Sequence, residues 1–411
     1  MTDRVVIVGG GHAGVTLAAL LRQSGYDGEV MVMSAEDDAP YHRPPLSKNL
    51  HEPEAEQPLR PDHFWSDHDI VLRLGTVVDR IDRVRHEVVE VGGRRVGYDH
   101  LVLATGAVPR SLDVPGAELE GVLTLRTLGH ARELRGFLAQ PGCRLVVVGG
   151  GYIGLEVAAM AVGAGAEVTI LEREQRVLAR VASAELSAFL TEHHRAAGTT
   201  IVTGVEVTCF EGSDGRVTSV VLGDGTSVDC DVVLVGIGAL PLDDLAVSAG
   251  LQCSEGILVD NSARTDDPSI MAIGDVTRRP VGMLPGRSRL ESIPSSTEQA
   301  RQACSVIMGS APPPSEVPWF WSDQGDLKIK IAGVVRAGDS VVLRNDPAVG
   351  RFAAYHHADG IVTAAETVNS SGDFMAAKKL IGSAMVIDPT LLANTATSPA
   401  QAIVTQPQVR A

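Results

Sequence analysis

The sequence predicts an α/β chain: two parallel-sheet domains followed by a smaller α+β domain. Three observations predict it. A β-branched run passes into a glycine cluster in "VVIVGGGHAG", which starts at Val5. The pattern returns in "VVVGGGYIGLE", from Val146 to Glu156. Beyond the proline-rich "GSAPPPSEVPWFW" of 309–321 it gives way to short alternating runs.

Taken in order, "RVVIVGGGHAGVTLAALLRQSGYDGEVMVMS" reads as strand, glycine turn, helix and strand, with Gly25 closing the helix. "CRLVVVGGGYIGLEVAAMAVGAGAEVTILE" repeats this plan, with Gly163 and Gly165 at the helix end. Continuous apolar strands are expected where helices cover both faces of a parallel sheet, so each segment is a βαβ unit. "LVLATGAVPRSLDVPG" (101–116), "DVVLVGIGALPL" (231–242) and "SIMAIGDVTRRPVG" (269–282) each read as a strand into a Gly/Pro turn. The first domain is therefore expected at 1–110 and 242–313, interrupted by the second at 111–241. The third spans 314–411. In it "LKIKIAGVV", "DSVVLRND", "RFAAYHH" and "GIVTAAETVN" read as strands and "DFMAAKKLIGSAM" as a helix. The small, polar tail from about 395 is expected to be loosely held.

Composition narrows the function classes. Apolar residues make up 44% of the 411 and charged residues 21%, an ordinary globular balance. A net charge of −16 argues against a broad nucleic-acid surface. No apolar stretch reaches the roughly 20 residues of a membrane span, and a cytoplasmic location is expected. The five cysteines never form C-x-x-C and read as reduced, buried thiols. The twelve histidines are scattered; His193–His194 reads as helix surface, and no metal site is expected.

Gly9-x-Gly11-x-x-Gly14 and Gly149-x-Gly151-x-x-Gly154 both lie between strand and helix, the context that makes this motif a dinucleotide cradle. The first glycine permits the tight turn, the second lets a pyrophosphate reach the backbone, and the third packs helix on strand. The helix N-terminus then presents free N–H groups to phosphate. The sequence thus predicts two Rossmann-like dinucleotide-binding domains. An acidic residue about 20 positions on should take the ribose hydroxyls. In the second unit it is Glu172, which favours NADH, although Arg173, Arg176 and Arg180 could suit the extra phosphate of NADPH. In the first, Ala35 stands where acid is expected, and Glu36 becomes the candidate. Two dinucleotides in one chain imply electron transfer between them: NADH as hydride donor and FAD as acceptor.

The later segments carry a resemblance. "PYHRPPLSK" (40–48), "LVLATG" (101–106), "TLRTL" (124–128), "IGDVT" (273–277), "ESIP" (291–294) and "PWFWSDQ" (318–324) are similar to those of the NADH-dependent ferredoxin reductases that serve bacterial oxygenases and cytochromes P450. The resemblance implies a glutathione reductase-like arrangement of the two nucleotide domains, tightly bound FAD, NADH as substrate and a [2Fe–2S] ferredoxin as partner. It implies that Lys48 lies beside the isoalloxazine, where an ammonium stabilises the charge of the reduced ring, and that Glu156 pairs with it near the nicotinamide. Glu156 also reads as a first-turn glutamate complementing its helix dipole. By the same resemblance Ala13, Arg43, Val78, Thr105, Gly106, Arg126, Asp275 and Ile293 contact FAD, with Asp275 on the ribitol in a Gly-Asp turn before a helix. Gly238 lets nicotinamide lie flat. Gly325 stands where the family often has an aromatic residue.

An acidic ferredoxin needs a local positive face on this acidic chain. Lys328, Lys330, Arg336, Lys378 and Lys379, with Arg287 and Arg289, are the candidates. The rivals are weaker. Disulfide reductases need a cysteine pair near the flavin; coenzyme A disulfide reductases and NADH oxidases need one redox cysteine near 40–48. The remaining alternative is an NADH-responsive flavoprotein binding module of the apoptosis-inducing-factor kind.

Overall fold

The computed structural model describes residues 3–50, 56–282, 284–345 and 350–405. The chain divides into two compact units. One comprises 1–42, 56–108 and 239–316; the other comprises 43–55, 109–238 and 317–411.

In the first unit, five parallel strands run in the order Ile270–Ala272, His100–Leu103, Arg4–Val8, Glu29–Met33, Ile70–Arg73. Val5, Val6 and Ile7 of the central strand are fully buried, as a strand covered on both faces requires. Helix His12–Gln23 lies along helix Ile293–Ile307, and Leu17, Leu21, Ala300 and Ala303 share one core with Val5 and Ile7. On the other sheet face, Val6 and Leu103 pack in a second core with Val88 of an antiparallel ribbon built from Val78–Asp82, Glu87–Glu90 and Arg95–Gly97.

The second unit repeats the plan. Its five parallel strands run Thr200–Thr203, Glu167–Glu172, Arg144–Val148, Val232–Val235, Val122–Leu123. The β-branched Val146–Val148 run sits at the centre, next to helix Tyr152–Gly163. This unit also holds a mainly antiparallel sheet in the order Trp319–Gln324, Leu327–Gly333, Ile361–Val368, Phe352–Ala358, Ser340–Leu343. Helix Ser371–Ser383 packs on it through Phe374, Ala377 and Leu380.

Where the sequence suggests a loosely held tail from about 395, Pro399–Ala402 forms a 3₁₀ turn closed by a Ser398/Gln401 capping box. The next strand, Ile403–Thr405, pairs with Val386–Ile387. The buried Arg344 guanidinium holds this region, donating to the carbonyls of Leu392, Asn394 and Thr397 and to Asp373. Residues 406–411 of that tail lie outside the described residues. No helix among the described residues is long and apolar enough to cross a membrane.

Candidate functional site

In the first unit the glycine turn leaves strand Arg4–Val8 with Gly9 at φ +123°, and a Cβ there would lie 2.1 Å from the Ala104 carbonyl oxygen. At Gly14 a Cβ would lie 2.2 Å from the Gly9 oxygen. Both positions exclude side chains because backbone meets backbone. Gly11 differs: a Cβ would meet nothing within 4 Å. That combination is a closed turn with one open face, which is what an incoming pyrophosphate needs.

Around it the fold gathers other predicted residues. Gly274 precedes Asp275, and its added Cβ would sit 3.0 Å from Ala13 Cβ, so the Gly274–Val276 turn abuts the glycine helix. Ile293 opens helix Ile293–Ile307, whose Ser292 cap accepts the Ser295 N–H. Thr105 donates to the Leu242 carbonyl at 2.6 Å, and Gly106 accepts the Leu242 N–H at 2.9 Å. Glu36 accepts the Tyr41 hydroxyl at 2.6 Å, while Ala35 is exposed. Val78 begins the antiparallel ribbon and packs on the second core. One expectation is corrected. The Gly-Asp turn precedes strand Thr277–Pro280, not a helix, because Thr277 and Arg278 pair with Ile257 and Leu258.

His12, at a variable position of the first glycine motif, faces this region. Its Nε2 is 3.3 Å from Thr297 Oγ1, and its buried Nδ1 has no partner among the described residues. Burial, then His42 and Arg60, lower its pKa to about 4 against a raising effect of Asp275. A neutral imidazole with an orphaned nitrogen beside an open glycine turn fits a dinucleotide that supplies the missing partner.

In the second unit Gly149 has φ +108°, with its would-be Cβ 2.6 Å from the Gly236 oxygen. At Gly154 the corresponding distance, to the Gly149 oxygen, is 2.3 Å; at Gly151 only the Gly236 oxygen lies within reach, at 3.9 Å. Glu172 is fixed at its strand end. One oxygen accepts the Gly150 N–H at 2.7 Å and the other the Glu174 N–H at 2.8 Å. Of the nearby arginines, Arg176 donates to the carbonyls of Ala179, Ala182 and Ser183 and Arg173 pairs with Glu174. Arg180 reaches the Ile237 carbonyl at 3.5 Å. Gly238, at φ +117°, accepts the Arg110 N–H. The turn is again closed at two glycines and open at the middle one, and it fits a second dinucleotide.

Lys48 and Glu156 come together in this unit. The short helix Pro45–Lys48 packs on helix Tyr152–Gly163, and Lys48 Nζ stands 3.6 Å from Glu156 Oε1 and 3.7 Å from Asp323. The ammonium also lies 5.5 Å from the Trp321 ring centre. Arg43 donates to the Arg126 carbonyl at 2.6 Å. Glu156 is only 6% exposed, and burial pushes its carboxyl pKa up against the opposing Lys48 charge and the Ser322 and Ser47 hydroxyls. It lies in the second turn of its helix, not the first, so the dipole reading does not account for it. His194, expected at the surface, is buried because its ring meets Gln324 at 2.8 Å. Ser47, Ser322 and Tyr152 were also missed, although "PPLSK", "WSDQ" and the second glycine motif contain them.

All five cysteines are free thiols. Among the described residues no cluster of three or more His, Cys, Asp or Glu is placed to hold a metal.

Two parallel sheets, each ending in an open glycine turn, define a two-nucleotide oxidoreductase scaffold. Comparison with known proteins agrees. Residues 3–302 match the family model described as pyridine nucleotide-disulphide oxidoreductase, and 319–402 match reductase C-terminal. The chain belongs to the pyridine nucleotide-disulphide oxidoreductase family. It is 46% identical over 383 residues to the probable ferredoxin reductase CtmF of Castellaniella defragrans, covering 92% of this chain and 93% of the relative. It is 40% identical over 400 residues to putidaredoxin reductase CamA of Pseudomonas putida, covering 95% and 94%. The fold matches the crystal structure of the covalent putidaredoxin reductase–putidaredoxin complex with a TM-score of 0.93, at 39% identity and 97% coverage of each chain. The resemblance drawn from the sequence segments is borne out.

Proposed function

We propose that the protein is an FAD-dependent ferredoxin reductase that oxidises NADH and delivers electrons to a [2Fe–2S] ferredoxin feeding a P450 or ring-hydroxylating oxygenase. The observation that carries this reading is the duplicated glycine turn, closed at Gly9 and Gly149 yet open at Gly11 and Gly151. When bound, flavin accepts the two electrons of a nicotinamide hydride and returns them singly. By the resemblance, Gly9, Gly11, Ala13, Gly14, Glu36, Arg43, Lys48, Val78, Thr105, Gly106, Arg126, Asp275 and Ile293 are the residues assigned to FAD. Gly149, Gly151, Gly154, Glu172 and Gly238 are assigned to NADH. Preference for NADH is supported by the Glu172 carboxylate and by Arg176, whose guanidinium is spent on backbone carbonyls. No general acid or base is needed for a hydride step. The free thiols accord with a cytoplasmic location.

For docking, the structure sharpens the candidate list. Lys328 is paired with Asp323 and Arg289 with Glu291. Lys378 lies 5.1 Å over the Trp319 ring and Lys330 5.5 Å over Phe374, with the two rings 5.5 Å apart. This cation–aromatic patch, with the exposed Lys379 beside it, is the face assigned to an acidic ferredoxin. The reductase names of the relatives favour an enzyme over a flavoprotein binding module.

The test measures NADH oxidation with ferricyanide and with a panel of [2Fe–2S] ferredoxins. Lys378→Glu with Lys379→Glu is expected to slow ferredoxin reduction roughly tenfold or more at low salt while ferricyanide turnover stays normal. Equal loss with both acceptors would reject docking there. A folded protein that takes up no flavin would reject the whole reading.

A further inference from the structure

Glu156 is a buried carboxylate with a donor on each oxygen. Ser47 donates to Oε2 at 2.5 Å, and Ser322 donates to Oε1 at 2.6 Å. Ser322 is itself served. Its oxygen accepts Gln324 Nε2–H at 3.2 Å, and Gln324 Oε1 accepts from His194 Nε2 at 2.8 Å. Ser322, Gln324 and His194 are 1%, 0% and 1% exposed. With the imidazole proton on Nε2, as the Gln324 oxygen requires, every donor in the row points toward Glu156. Such a chain polarises its own bonds in one direction, and it leaves the Ser322 hydroxyl proton a single place to go.

We propose that Ser322, Gln324 and His194 are positioning residues, a one-way row of hydrogen bonds that holds Glu156 as an anion turned toward Lys48. The proposal rests on the reading of the Lys48–Glu156 pair as part of the redox site. It adds residues that neither the glycine motifs nor the charge pair call for. The chemistry is that of a carboxylate deprived of water: the charged form persists only if donors replace the lost solvent. Among the described residues, the charged and titratable groups facing it are few. Lys48 faces it from helix Pro45–Lys48, with Asp323 of strand Trp319–Gln324 behind that lysine. Tyr152 lies on its own helix, its pKa raised well above the ordinary value by burial first and then by Glu366 and Glu156. The two strands next to the helix carry charges only at their ends. Of these, Arg144 is held by Asp231 and Glu172 by backbone N–H groups, while Glu167 is exposed. Among the described residues, a lost Ser322 donor therefore has no nearby substitute beyond Ser47 and Lys48.

The experiment is difference infrared spectroscopy on the holoenzyme. The protonated carboxyl band of Glu156 is assigned by its loss in Glu156→Gln. Ser322→Ala is expected to move the protonation midpoint of Glu156 up by about one pH unit, a roughly tenfold change, as loss of one bond to a charged acceptor implies. Gln324→Met, which keeps the volume and breaks the row one link earlier, is expected to move it in the same direction by less. Ser322→Thr, which keeps the hydroxyl, is expected to restore the wild-type midpoint. A folded Ser322→Ala or Gln324→Met protein with an unchanged Glu156 titration would overturn the relay, as would Ser322→Thr behaving like Ser322→Ala. The underlying reading fails separately: a Glu156→Gln enzyme with an undiminished rate of flavin reduction by NADH removes the pair from the redox site whatever the titration shows.

Discussion

In the first unit the glycine turn is closed by the Ala104 carbonyl, 2.1 Å from any Cβ at Gly9; in the second, the Gly236 carbonyl closes it at 2.6 Å from Gly149. The third glycines match as closely, at 2.2 and 2.3 Å from the backbone oxygens of Gly9 and Gly149. The middle glycines are open in both. Everything fixed by backbone contact is the same in the two turns. What differs is side-chain chemistry. The residue after the middle glycine is His12 in one and Tyr152 in the other. The strand-end acid is Glu36, bound by a tyrosine hydroxyl, in one and Glu172, bound by two backbone N–H groups, in the other. A shared frame thus carries two different sets of side chains.

The strongest way to break this comparison is to separate frame from ligand. Gly9→Ala forces both a φ of +123° and a backbone clash, and should cost about 3 kcal/mol or more. Gly11→Ala, at an ordinary φ of −78° with open space beyond, should leave the melting temperature of the apoprotein unchanged while flavin retention falls. The matching pair, Gly149→Ala and Gly151→Ala, should divide the same way, except that Gly151→Ala stays yellow and loses NADH affinity. Calorimetry of the apoproteins with absorbance of the bound flavin decides it. Equal melting temperatures for Gly9→Ala and Gly11→Ala would mean that backbone contact does not fix the frame.

Next in size is a difference in pH response. Burial first, then His42 and Arg60, hold His12 at about 4, below the ordinary histidine value of 6.5. The folded state therefore binds that proton less readily than the unfolded chain. The associated stability is fully present above pH 6.5 and is lost as pH falls toward 4, by at most about 3 kcal/mol. His12→Asn should flatten that part of the curve of melting temperature against pH. Tyr152, whose pKa is raised, has no titration in this window, and Tyr152→Phe should leave the slope as it is. Parallel curves for wild type and His12→Asn would contradict the assignment.

The smallest contrast is between the two acids. Glu172→Ala removes an acceptor from two backbone N–H groups and should cost about 2 kcal/mol; Glu36→Ala removes the partner of one hydroxyl and should cost about 1 kcal/mol. Glu172→Ala should also raise the KM for NADH roughly tenfold relative to that for NADPH. Denaturant unfolding and steady-state kinetics with both nucleotides measure these effects. A KM ratio left at the wild-type value would remove Glu172 from nucleotide selection.

Local pattern was enough to read the strands, both glycine turns, the helix caps and the α+β character beyond residue 314. These depend on residues a few positions apart: a β-branched run needs a covered sheet, and a glycine at positive φ needs a turn. Asp275 shows where local reading stops. Its turn is followed by a strand because Ile257 and Leu258 are there to pair with it. His194 looked like helix surface because nothing near it in sequence reveals that Gln324, 130 residues away, lies against its ring. The serines on Glu156 are 109 and 166 residues from it.

The sequence by itself determined the two glycine turns between strand and helix, because those frames are built from adjacent backbone. Only the tertiary structure decided that Glu156 is buried, that serine hydroxyls occupy both its oxygens and that Lys48 stands beside it. Burial and hydrogen-bond partnership depend on which distant segments share a core, and the charge state of a buried carboxylate depends on both.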